Sequence, residues 1–164
     1  MAKRTALSHV DASGAVKMVD VGGKPVVERT AVAEGRIAVS AAARRLVREG
    51  VTKKGHPLEI ARIAGIQAAK RTADLIPLCH PLPLSGVEVT LEPDAAKACV
   101  SIESRVRVTA RTGVEMEALT AVAVAGLTLY DMCKAIDRDM TIGAVRLMEK
   151  RGGRSGVYRR TGER

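Results

Sequence analysis

Phenylalanine and tryptophan do not occur in this chain, and Tyr130 and Tyr158 are its two aromatic residues. A core without large rings must be filled by Val, Ile, Leu, Ala and Met, so its elements have to approach one another closely. The same lack weakens one class of function. Small sheets that read single-stranded RNA stack bases on aromatic side chains, and no strand-like run here offers a suitable tyrosine. Cysteine is scarce as well. Cys79, Cys99 and Cys133 are odd in number and far apart, which fits a reducing compartment better than a disulfide scaffold. No apolar segment of the kind found in a secretory leader follows the basic first ten residues. The longest uncharged stretch inside a helical pattern, Ala118 to Tyr130, falls short of the ~20 residues that cross a bilayer. The expectation is a soluble cytoplasmic protein without a membrane partner.

What the chain has in excess is positive charge. Its 27 Lys and Arg against 18 Asp and Glu leave a formal charge of +9, which points to an anionic partner: nucleic acid, an acidic membrane or a phosphorylated small molecule. With 46% apolar residues in 164, the chain fits one domain spanning residues 1–164, its stretches 1–12 and 152–164 expected to be flexible.

Periodicity orders the elements. Residues 1–34 hold one or two short extended pieces around a Gly22-Gly23 turn. "GRIAVS" reads as a strand, and Ser40 as the N-cap of a helix "AAARRLVREG" that Gly50 closes. After the loop "VTKKGHP", Pro57 opens a second helix running to Ile76, ended by Pro77, Pro81 and Pro83. "SGVEVTLEP" and "ACVSIESRVRVTA" alternate as a hairpin turning at Pro93-Asp94. A helix from Val114 to Ile136, a strand "TIGAVRLMEK" and a fraying tail complete the chain. Setting the first helix aside, the order is βαββαβ, that of a ferredoxin-like α+β sandwich, an antiparallel sheet with its helices on one face.

Several clusters have the composition of a site. Asp131 and Lys134 are three apart on the last helix, hence on one face, where the long apolar body of that helix emerges from the core. An ordinary surface ion pair has the same spacing. Glu115 and Glu117 sit at the other end, roughly 20 Å away along the axis, too far to share a small ligand with Asp131 in one chain. They either complement the helix dipole or serve another site, and an antiparallel pairing of this helix in two subunits would bring Glu117 of one chain towards Asp131 of the other. Lys53, Lys54 and His56 form a basic loop before a helix start, suited to phosphate, with Arg62, Lys70 and Arg71 as possible extensions. "KRGGRSG", from Lys150 to Gly156, lacks the order of a Walker phosphate loop; it is a solvated basic tail or a grip on a triphosphate. Cys79-His80, inside "LIPLCHPLPL", would supply two adjacent ligands where zinc needs three or four, and no further His or Cys has matching spacing. Adjacency also disfavours a nucleophile and its base. What stays open is a structural pair, or a stiff pocket wall with His80 facing a ligand.

Three long stretches, "GHPLEIARIAGIQAAKRTADLIPLCHPLPLSGVEV", "TGVEMEALTAVAVAGLTLYDMCKAIDRDM" and "GGRSG", together resemble the cyclic pyranopterin monophosphate synthase family, the second step of molybdenum cofactor biosynthesis. The resemblance runs from "MVDVGGK" to the tail. It implies a ferredoxin-like subunit, a hexamer built as a trimer of dimers, and an active site at the dimer interface. It implies that 3′,8-cyclo-7,8-dihydro-GTP becomes cyclic pyranopterin monophosphate with release of pyrophosphate, a lyase reaction. Asp131, Lys134 and Lys54 match its catalytic positions; Leu78, Cys79, His80, Met116 and Glu117 match substrate-binding ones, and Lys150 a further lysine, with Arg154 beside it in "GGRSG". The implied roles are acid–base catalysis by Lys134 held and buried against Asp131, charge stabilisation by Lys54, Lys150 and Arg154, and recognition of base and ribose by Glu117 and His80. The rearrangement involves no net hydride transfer, so no cofactor is required, and Mg²⁺ would act with the substrate phosphates. The alternative is a basic ferredoxin-like RNA-binding module without catalysis.

Overall fold

The computed structural model describes residues 13–50, 52 and 55–162. β1 (Val27–Ala38) leads into α1 (Ala41–Glu49) and α2 (Pro57–Lys70), followed by the single turn α3 (Thr72–Leu75). β2 (Gly86–Asp94), β3 (Cys99–Ala110), α4 (Glu115–Cys133), β4 (Thr141–Arg151) and the two-residue β5 (Tyr158–Arg159) complete the order. The five strands form one antiparallel sheet in the order β2-β3-β1-β4-β5. Without β5 this is the strand order of a ferredoxin-like sandwich, with α2 and α4 packed on one face.

Local chemistry explains α1 as expected: Ser40 Oγ accepts from the Ala43 N–H at 3.2 Å, and Gly50, at φ 70°, closes the helix by donating to the Leu46 carbonyl. Other boundaries move. β1 starts eight residues earlier than "GRIAVS", because all twelve of its residues find partners in the twelve of β3; pairing across the sheet outweighs the weak alternation of the segment taken alone. α2 stops at Lys70 and not at Ile76. The buried Thr72 hydroxyl donates to the carbonyls of Ala68 and Ala69 and the Arg71 N–H falls back to Ala68, so the helical ladder is interrupted there. Pro93 and Asp94 remain in β2, an edge strand that tolerates proline, and the hairpin turns two residues later. The tail expected to fray returns as β5, setting Tyr158 on a strand after all; one half-exposed ring on a two-residue edge is no stacking platform for bases.

The core has the close packing that a lack of rings demands. β1 contributes Ala31, Ala33 and Ile37, and β3 contributes Val100, Ile102, Val106 and Val108, all buried under Ala118, Ala121, Val122, Ala125 and Leu129 of α4. Ser104 interrupts the apolar row of β3, and its hydroxyl donates to the Ala118 carbonyl at 2.7 Å, so nothing polar is stranded. At Gly65 an added Cβ would lie 2.9 Å from the Ala121 carbonyl oxygen, so α2 and α4 meet almost backbone to backbone. α4 has the length and, with a mean hydropathy of 1.3, the apolarity of a membrane span, but 56% of that stretch is buried here as the central helix of the core. On the opposite face the charges pair among themselves, Arg146 with Glu34 at 2.6 Å and Arg107 with Glu88 at 3.0 Å.

Candidate functional site

At one end of the sheet the start of α4, the loop after α3, the loop after β3 and the segment 19–24 with its Gly22-Gly23 turn line a pocket of about 360 Å³. Its walls include Leu78, Cys79, His80, Met116 and Glu117, five residues singled out in the sequence, together with Lys24, Thr112 and Glu115. Prolines fix the wall. Between Pro77 and Pro83 the chain has no regular structure, and Cys79 N–H closes a turn on the Ile76 carbonyl. His80 is turned partly to its own chain: Nε2–H donates to the Val19 carbonyl at 2.9 Å, which leaves Nδ1 as the ring atom for a ligand.

Glu117 is the most perturbed acid. Only 4% of it is exposed, and burial pushes its carboxyl up from 4.5 to about 7; the Glu115 carboxylate adds to the rise, and the bond to its own backbone N–H opposes it. A carboxyl that titrates near neutrality inside a pocket is suited to exchange a proton or to change its hydrogen-bonding sense with a ligand. The Cys79 thiol is raised by burial and then by the neighbouring Glu117 charge, which favours its neutral form as part of the wall.

The pocket opens into a basic cleft of about 860 Å³, the two sharing Lys24, Thr112, Gly113 and Glu115. Lys150 and Arg154 line it as the "KRGGRSG" motif suggested, and they are joined by Lys24, Arg29 and Arg111. Arg29 is the fixed element. Its Nε and Nη2 donate to the carbonyls of Ala110 and Arg111, each at 3.0 Å, and Gly152 and Gly153, at φ 89° and 78°, wrap around it. A Cβ at Gly152 would overlap the Glu28 carbonyl, and one at Gly153 the Arg29 guanidinium. Lys150 Nζ donates to Ser155 Oγ, which folds the loop back over the cleft. Lys24, Arg29 and Arg111 lie in no motif with a recognisable spacing; they meet because β1, β3 and β4 end together, which pairing register alone reveals.

The other predicted residues lie elsewhere. Lys134 Nζ is 2.7 Å from Asp131 Oδ1 at the far end of α4, both side chains about half exposed (55% and 51%). The hydrogen bond and charge of Asp131 raise the Lys134 ammonium above its ordinary value. Within one chain this lysine stands in solvent, and its carboxylate partner makes it hold its proton more firmly. Fourteen residues of helix separate Asp131 from Glu117, roughly 21 Å along the axis. Lys54, with Lys53, lies outside the described residues. Arg62 pairs with Glu59 at 2.9 Å, and neither it nor Lys70 or Arg71 lines the cleft. Among the described residues no three His, Cys, Asp or Glu side chains converge as metal ligands.

Known proteins resemble this chain in sequence. The MoaC family pattern matches residues 18–153, from the segment over the pocket to the second glycine of the basic cleft. The chain belongs to the MoaC family. It is 58% identical to the cyclic pyranopterin monophosphate synthase of Thermomicrobium roseum over 154 residues, 94% of this chain and 93% of that protein. The protein of the same name from Parvibaculum lavamentivorans is 58% identical over 153 residues, and that from a Methylobacterium species 61% over 152, each covering 93% of this chain. Family and relatives together place the chain among the synthases of molybdenum cofactor biosynthesis. The matched span takes in both ends of α4, the Leu78 to His80 wall and Lys150, and stops one residue before Arg154.

Proposed function

We propose that this chain converts 3′,8-cyclo-7,8-dihydro-GTP into cyclic pyranopterin monophosphate and pyrophosphate, a lyase step whose product is the one its relatives' name gives. The observation that carries the reading is the pairing of two joined compartments: a small pocket walled by Leu78, Cys79 and His80 with a proton-active Glu117, opening on a cleft lined by Lys24, Arg29, Arg111, Lys150 and Arg154. A nucleotide triphosphate has the same division into a flat hydrogen-bonding base and a polyanion. Glu117 and the Nδ1 of His80 would hold the base and ribose. Lys150 and Arg154, with Lys54, would stabilise charge on the departing pyrophosphate. Any Mg²⁺ would arrive on the phosphates as part of the substrate.

Proton transfer falls to Lys134, oriented by Asp131. Since that pair lies roughly 21 Å from Glu117 on the same helix, the site needs a second copy: two α4 helices running antiparallel about a two-fold axis bring the Asp131–Lys134 end of one to the Glu117 end of the other. Burial of the pair in that interface would lower the lysine towards the working range, opposing the rise caused by Asp131. Three such dimers would form the hexamer. The basic surface takes up a small-molecule polyanion on this reading, neither nucleic acid nor a membrane.

The test is one incubation of the protein with the cyclic dihydro-GTP intermediate, following pyrophosphate and the fluorescent oxidised pterin. Both should appear with the native chain, and Lys134→Ala should release neither while keeping fold and oligomer. Near-normal product from Lys134→Ala would remove Lys134 from the mechanism; no product from the native chain would remove the enzymatic reading.

A further inference from the structure

Asp137 is a buried acid that no step above uses. It is 9% exposed, and each of its oxygens accepts a backbone N–H: Oδ2 that of Ser40 at 2.7 Å, Oδ1 that of Asp139 at 3.1 Å. Ser40 is the junction between β1 and α1, 97 residues away in sequence. Asp137 follows Lys134 by one turn, and its own N–H donates to the Cys133 carbonyl at 3.1 Å, so its main chain continues the end of α4.

Lys134 is the capping residue of α4, with helical dihedrals and an N–H that donates to the Tyr130 carbonyl at 2.8 Å. Helix ends fray unless the groups beyond them are held. Side-chain bonds hold this one: Tyr130 Oη–H donates to the Arg138 carbonyl at 3.1 Å, eight residues further on, and Asp137 reaches across to another element. An ionised carboxylate with two N–H donors makes a short, directional clamp.

We propose that Asp137 is a positioning residue for catalysis, pinning the turn that carries Lys134 to the β1–α1 junction so that the ammonium keeps its station beside Asp131. The inference rests on the reading of Lys134 as the proton-transfer group. It separates Asp137 from the core residues around it: its loss should change turnover and not merely the amount of folded protein.

The experiment measures pyrophosphate release by the full-length protein and a set of variants, with kcat, KM, thermal midpoint and oligomer size for each. Asp137→Ala should lose about 30- to 100-fold in kcat with KM within about threefold, the scale of a small misplacement of a reacting group. Asp137→Asn, whose amide oxygen still accepts from Ser40 while its NH₂ meets the Asp139 N–H, should recover part of the loss. Ser40 has φ −63°, which suits a proline ring, so Ser40→Pro deletes the partner N–H with the backbone angle kept and should depress kcat as Asp137→Ala does. Ser40→Ala keeps the N–H that Asp137 accepts while losing the α1 cap and the hydroxyl's own bond to that carboxylate; it should keep a kcat well above that of Ser40→Pro, with a lower midpoint. The double variant Ser40→Pro with Asp137→Ala should be no worse than the worse single one. Normal kcat in Asp137→Ala or Ser40→Pro, with only the midpoint lowered, would overturn the proposal, as would losses that multiply in the double variant. Should Asp137→Ala fail to fold, Ser40→Pro and Asp137→Asn decide. Lys134→Ala run alongside keeps the two readings apart: if it is active, the role of Lys134 fails whatever Asp137 does; if it is inactive while Asp137→Ala is normal, only the clamp fails.

Discussion

Replacing Gly65 by alanine should destabilise the protein, although a glycine inside a helix is ordinarily improved by that change. Two terms favour alanine: about 1 kcal/mol of helix propensity and about 0.8 kcal/mol for one buried methyl. Against them stands the seam between α2 and α4. The new Cβ would lie 2.9 Å from the Ala121 carbonyl oxygen, 3.3 Å from Ala125 Cβ and 3.4 Å from Val89 Cγ1. The nearest of these is helix backbone, which cannot swing aside as a side chain does, so the two helices must part. Overpacking of this kind costs about 1–3 kcal/mol, and contact with main chain puts it at the upper end. The balance is a loss of about 1 kcal/mol, or about 2–4 °C in the thermal midpoint for a chain of this length. The measurement is thermal unfolding at fixed protomer concentration, with Gly23→Ala beside it. Gly23 has nothing within 4 Å of its added Cβ and should hardly move the midpoint. A midpoint raised by Gly65→Ala would show that the helices are not in contact there. The same parting should raise KM, because α2 leads to the Leu78 to His80 wall and the start of α4 carries Glu117.

Three further outcomes follow from the site. Gly153→Ala, at φ 78° and against the Arg29 guanidinium, should open the 152–155 loop and raise KM about tenfold with little change in kcat; an unchanged KM would detach the basic cleft from substrate binding. Glu117, raised from 4.5 to about 7 by burial, keeps its proton better folded than unfolded, so its contribution to stability is complete below pH 4.5 and is lost as pH rises through about 7. That is at most about 3 kcal/mol, and about half of it once water in the open pocket is allowed for. Glu117→Gln should accordingly flatten the fall in urea midpoint between pH 5 and 8, and an equal fall in the variant would mean that the carboxyl is already ionised in the native protein. Cys79→Ser should keep most activity, its thiol being a neutral wall group, while His80→Ala should lose much of it through the Nδ1 contact and the released Val19 carbonyl; equal losses in both variants would refute the division of roles.

How far the chain is legible before folding depends on the range of the interaction that decides each feature. α1 was readable at both ends because Ser40 and Gly50 act on the nearest turn. The hairpin, α4 and the βαββαβ order follow from alternation and apolar periodicity, which are local as well. Alternation places the start of β1 too late because its first eight residues owe their strand form to pairing with β3 and β4, and it gives no sign of β5, since the tail pairs with β4 despite its glycines and arginines. Periodicity carries α2 past its end because nothing in "AAKRTADLI" announces that the Thr72 hydroxyl takes two helix carbonyls.

The site divides along the same line. Leu78, Cys79, His80, Met116 and Glu117 stand in two conspicuous stretches, and the fold brings those stretches to one wall. Lys24, Arg29 and Arg111 are single cations among 27, and no spacing marks them; their convergence is a product of where three strands end. The Asp131–Lys134 pair is the opposite case, obvious in sequence and isolated in the fold. An exposed ion pair three residues apart is a common surface feature, and its geometry here at 2.7 Å is no better than ordinary. On the proposed reading the length of α4 is what would make it more than that. The helix holds Asp131 and Glu117 roughly 21 Å apart, too far for bending to unite them, so under that proposal another copy of the helix, reversed, would have to bring them together.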